Sequence, residues 1–105
     1  MIRIEPLTFH YKYGFIVEGH AEYAEHGADI VCSAISAIAQ TIEMAIKRHA
    51  PVESIVEEGH ISVYVKEPNV YTDILIDAML NGMRAVEKQY PQYVTIQEEE
   101  HDKRF

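Results

Sequence analysis

A single cysteine in 105 residues excludes an internal disulfide and any metal cage built from several thiolates. No apolar run comes near the roughly 20 residues that a membrane-spanning helix needs. The opening Met1-Ile2-Arg3-Ile4-Glu5-Pro6 lacks the basic region and apolar core of a secretory signal. Together these absences lead us to expect a cytoplasmic protein with no membrane partner. Basic residues are scarce: nine Lys and Arg stand against seventeen Asp and Glu, a formal charge of −8. So few cations cannot easily form a patch that follows a phosphate backbone, and direct nucleic-acid binding is not expected. The acidity suits a basic protein partner, although solubility alone is the more common reason for it. Repeats, low-complexity stretches and Pro/Gly-rich linkers are also missing. The chain therefore reads as one domain over residues 1–97 and a charged tail over 98–105.

What the sequence does contain is regular patterning. Residues 2–5 alternate apolar and polar as a half-buried strand does, and residues 12–19 are rich in aromatic and β-branched side chains. Residues 21–28 are polar and irregular and read as a loop. Asp29 is a good N-cap for a helix whose apolar stripe is expected at Ile30/Val31, Ala34/Ile35, Ile38, Ile42 and Ala45/Ile46, with Pro51 ending it. Residues 53–57 and 60–66 form a hairpin around Glu58-Gly59. A second helix is expected to bury Tyr71, Leu75, Ala78/Met79, Met83, Val86 and Tyr90, and Gly82 within it suggests close approach of a neighbour. Residues 93–97 make a last strand. The order ββαββαβ predicts an α+β fold, a mostly antiparallel sheet packed with two helices.

The lone cysteine falls in a chemically useful place. With Asp29 as N-cap, Cys32 sits in the first helical turn, where backbone N–H groups lack internal partners and the helix dipole is positive. That setting favours a thiolate, and the same amides offer themselves to a developing oxyanion. A small buried hydrophobe would occupy the position equally well. His20, between the small residues Gly19 and Ala21 at the end of the second strand, arrives near the helix start if the intervening loop doubles back. A histidine within reach of a cysteine is the minimum equipment for thiolate chemistry; alone, it is a polar side chain meeting water. Asp29 has two competing tasks, capping the helix or orienting His20. Ser36, one turn after Cys32, either reaches the site or bonds back to its own helix. Gly27 is a hinge for the 21–28 loop or merely the turn before the cap. His20, His26 and Cys32 would be three donors for zinc, but no metal-ligand spacing supports this, and neither metal nor cofactor is expected. His10, His49, His60 and His101 read as surface or strand-end residues.

Gly19-His20-Ala21, followed by Gly27-Ala28-Asp29-Ile30-Val31-Cys32-Ser33-Ala34-Ile35-Ser36, resembles the two-part motif of the ribosomal-processing cysteine protease family, Prp. The second helix, with Gly82-Met83 and its end at Gln89-Tyr90-Pro91, resembles that family's C-terminal half. Ser33 and Ile35 depart slightly from the family's usual alanine and valine. The resemblance implies a homodimeric endopeptidase with Cys32 as nucleophile, His20 as base, and Asp29 and Ser36 in support. It also implies that the loop carrying Gly19, Ala21, His26 and Gly27 covers the substrate. The implied substrate is the N-terminal extension of a basic large-subunit ribosomal protein, cut after a short hydrophobic and aromatic stretch. Three rivals remain: a non-catalytic ribosome-associated binding or assembly factor, a thiol redox sensor and a metal-dependent hydrolase. The redox sensor is weakened by the lack of a resolving cysteine.

Overall fold

The alternation that begins at Ile2 runs further than residues 2–5. In the computed structural model, which describes residues 1–25 and 29–97, β1 spans Ile2–Phe9 and β2 spans Tyr11–Glu18. Pro6 is accommodated inside β1 because its far-side neighbour, β5 (Val94–Ile96), pairs only with Ile2, Arg3 and Ile4. From there on β1 is an edge, where a missing N–H breaks no ladder. After β2 come α1 (Ile30–Ile46), the hairpin of β3 (Val52–Glu57) and β4 (His60–Val65), and α2 (Val70–Gln89). The expected order ββαββαβ is the observed one. The sheet runs β3-β4-β2-β1-β5, and only the β1/β5 pair is parallel.

Both helices carry one apolar stripe, but the stripes are turned from where periodicity put them. α1 buries Val31, Ile35, Ala39, Glu43 and Ile46, while Ile30 is left 55% exposed. Glu43 tolerates burial because its carboxylate accepts from Ser54 Oγ of β3 and from Lys47 Nζ, each at 2.7 Å. Burial alone raises its pKa, but the bonds from Lys47 and Ser54 and the Lys47 charge outweigh this and leave it lowered. α2 buries Thr72, Ile76, Met79, Leu80 and Met83 rather than Tyr71 and Ala78. The cap explains the turn. Asn69 accepts from the amides of Tyr71 and Thr72, and the Thr72 hydroxyl accepts from the Asn69 amide at 2.9 Å. Thr72 thus enters the core with its polar group satisfied, and Tyr71 goes to the surface and stacks on His49. At Gly82 the approach is ordinary: a β-carbon there would lie 3.5 Å from Ile38 Cδ1 of α1. The core lies between helices and sheet, around Ile4, Phe15, Ile35, Val63, Ile76, Met79 and Leu80. The 98–105 tail lies outside the described residues.

Candidate active site

α1 starts where expected because Asp29 caps it. Oδ1 accepts from the amides of Val31 (3.0 Å) and Cys32 (2.9 Å). Oδ2 accepts from Tyr23 (2.9 Å) and Ala24 (3.3 Å), so one carboxylate ties the segment after β2 to the first turn of the helix. Asp29 is buried, and burial by itself pushes its pKa up. The amides of Cys32, Tyr23, Ala24 and Val31 outweigh that and hold it below its ordinary value. Of its two candidate tasks, Asp29 performs the cap; among the described residues no hydrogen bond joins it to His20.

The cap also removes a set of oxyanion donors. The Val31 and Cys32 amides are taken by the Asp29 side chain, and the Ser33 amide donates to the Asp29 carbonyl at 3.1 Å. The expectation that helix-start amides would receive an oxyanion therefore fails for these three, because the residue that starts the helix consumes them. A different amide faces the Cys32 sulfur: Ala21 N–H donates to Cys32 Sγ at 3.2 Å.

Glycines place His20. Gly19 has φ +100°, and a β-carbon on it would lie 2.3 Å from the Met1 carbonyl oxygen, so the chain can turn there only without a side chain. Its amide donates to the Gly59 carbonyl at 2.9 Å, locking the end of β2 to the β3–β4 turn. The His20 carbonyl accepts from the Met1 ammonium. Gly59, at φ +77°, makes room for the imidazole: a β-carbon there would lie 2.7 Å from His20 Nε2. The sequence marked Gly59 as a turn and gave no sign of this second task.

Cys32 and His20 open into one cleft of about 1080 Å³ between α1 and the β3–β4 hairpin. Cys32 is half-buried and His20 exposed. Among the described residues no hydrogen bond yet joins thiol and imidazole, as is common before a substrate draws such groups together. Gly19, Asp29 and Ser36 line the same cleft, and Ser36 Oγ accepts from Gln40 Nε2 at 2.7 Å. Ala21 is buried behind it, presenting only its amide. His26 and Gly27 lie outside the described residues. Glu22, Glu57 and Glu58 add acidic groups to the walls, whose described residues include no Lys or Arg. Tyr23, which the sequence reading passed over, meets Tyr90 and Tyr93 edge-on at 5.5 and 5.2 Å and anchors the 21–25 segment to the end of α2. An aromatic residue in a polar loop was its only signal.

Comparison with known proteins points one way. The family model described as Cysteine protease Prp matches residues 1–95. A Bacillus subtilis (strain 168) protein, the ribosomal processing cysteine protease Prp, is 27% identical over 85 residues, covering 72% of this chain and 76% of its own. Among solved structures, the essential ribosomal processing protease Prp of S. aureus with a covalently linked product peptide superimposes with a TM-score of 0.87 at 22% identity. The match covers 94% of this chain and all of that one. The same S. aureus protein with a substrate peptide gives 0.82 at 21% identity, with the same coverage.

Proposed function

The chain belongs to the cysteine protease Prp family, and from that membership we propose that it removes the N-terminal extension of a basic large-subunit ribosomal protein through a Cys32–His20 dyad. One observation carries the assignment of residues: the Cys32 sulfur, receiving the Ala21 amide, opens into the same cleft as His20. In the proposed sequence His20 takes the thiol proton and Cys32 attacks the scissile carbonyl, breaking its π bond to give a tetrahedral oxyanion. The imidazolium then protonates the departing amine as the C–N bond breaks, leaving an acyl-enzyme. Water, deprotonated by His20, hydrolyses the thioester and returns the thiol. Asp29 holds Cys32 and the 21–25 segment in register for these steps, and Ser36 with Gln40 shapes the wall beside the sulfur. The acidic cleft rim favours a basic substrate protein. The working form is a cytoplasmic homodimer, expected to run in light-scattering chromatography at twice the mass of one chain.

Incubating the purified protein with the extended ribosomal protein, beside Cys32→Ala and His20→Ala variants, tests the reading by mass spectrometry. Cleavage by the wild type alone supports the dyad. Cleavage by Cys32→Ala would displace the nucleophile. No cleavage by folded wild-type protein would favour a non-catalytic binding factor.

A further inference from the structure

At the end of the sheet nearest the cleft, a row of polar side chains crosses from strand to strand. Register sets Glu57 of β3 opposite His60 of β4, His60 opposite Glu18 of β2, and Glu18 opposite Arg3 of β1. The neighbours Val17 and Ile61 are buried in the core, so alternation turns Glu18 and His60 to the sheet face away from the helices. There His60 Nδ1 meets Glu18 Oε2 at 3.1 Å. These two are the last paired residues of β2 and β4 before the strands part. One residue further on, Gly19 N–H donates to the Gly59 carbonyl at 2.9 Å. Beyond that bond one strand delivers His20, and the other turns at Gly59. Gly59 is also the seat of the imidazole, since a β-carbon there would fall 2.7 Å from His20 Nε2 and 3.1 Å from Cε1. The base and its seat thus ride on two strand ends that the Glu18–His60 pair pins side by side.

Resting on the protease reading above, we propose that Glu18 and His60 are positioning residues whose clasp keeps Gly59 against the His20 imidazole. The clasp limits the orientations that the base can take toward Cys32, and neither side chain takes a proton in the reaction. Glu18 is exposed and His60 only half-buried. An exposed pair of this kind shifts an equilibrium by no more than about fivefold. That is too little to decide whether the sheet folds. It acts, however, at a strand end, where ladders open first, and beside a base whose placement the rate feels directly.

The test is steady-state cleavage of the extended ribosomal protein by the wild type, His60→Ala, Glu18→Ala, the double variant and His60→Gln. His60→Ala is expected to lower kcat about three- to fivefold with KM unchanged. Glu18→Ala should cost the same, and the double variant no more than either, because each removes one shared contact. His60→Gln, which can still donate to Glu18, should recover most of the rate. Without substrate, the His20 Cε1–H signal in proton–carbon NMR, identified by its loss in His20→Ala, should shift or broaden in His60→Ala. It should return toward the wild-type position in His60→Gln. Both clasp residues meet solvent, so circular dichroism of all these variants should match the wild type. A raised KM at unchanged kcat would make His60 a substrate contact and overturn the clasp. Additive losses, full activity in every variant, or an unmoved His20 signal would overturn it too, leaving the protease reading intact. A wild type that cuts nothing overturns the protease reading, and the positioning role with it.

Discussion

Four backbone amides converge on one carboxylate at Asp29, which makes this residue the hinge between chemistry and stability. Asn in its place keeps one acceptor oxygen but turns an NH2 group toward two donating amides. Asp29→Asn is therefore expected to cost about 1–2 kcal/mol in urea unfolding at neutral pH. The pH dependence has a definite sign. Folding lowers the Asp29 pKa, so its contribution is fully present above the unfolded chain's value, near 3.8, and is lost as pH falls through the lower folded value. Glu43, also lowered, loses its contribution in the same acid region. Wild-type stability should thus decline on acidification toward pH 3, and Asp29→Asn should decline less steeply. Parallel declines would show that the carboxylate's charge is not what the amides hold.

At the scale of elements, the segment after β2 is held at two points. Asp29 fixes its amides, and the Tyr23 ring packs against Tyr90 and Tyr93. Each edge-on aromatic pair is worth about 0.5–1.5 kcal/mol beyond its burial. Tyr23→Ala should therefore release the 21–25 segment without unfolding the sheet. The expected outcome is faster hydrogen exchange at the Tyr23 and Ala24 positions, roughly tenfold, with unchanged exchange in β2 and β4. Unaltered exchange would mean that Asp29 alone holds the segment. The β3–β4 hairpin, the other wall, is also tied, through Gly19 to Gly59 and Glu43 to Ser54. Both walls of the cleft are thus fastened to α1, which carries Cys32, or to the end of β2, just before His20.

For the whole molecule the governing quantity is charge. A formal −8, with Glu22, Glu57 and Glu58 on the cleft and no described Lys or Arg lining it, produces a negative field at the site. That field raises the local concentration of a cationic substrate and is screened over about 10 Å at 0.1 M salt. Cleavage of a Lys-rich peptide is expected to show kcat/KM falling several-fold between low and 0.5 M salt, while a neutral peptide of the same length changes little. Identical salt profiles for the two would remove electrostatic steering from the account.

The amino-acid sequence by itself determined the order of the elements and the start of α1, and it singled out Cys32 and His20 as the pair proposed to react. These are local matters: alternation, 3.6-residue periodicity, and Asp29 standing three residues before Cys32 in a chain with no other thiol. Which face each helix turned inward was decided elsewhere. Tyr71 left the core because the Asn69–Thr72 cap satisfied Thr72 there, and Glu43 entered it because Ser54 and Lys47 met its carboxylate. The amide that faces the Cys32 sulfur belongs to Ala21, and backbone donors carry no signature in sequence. Gly59 makes room for His20 from 39 residues away, and Val56 faces the same cleft as Met44 across two elements. Periodicity and capping act over a few residues, so they could be read directly. The cleft depends on which strand end meets which helix end, and only the packed chain brings those together.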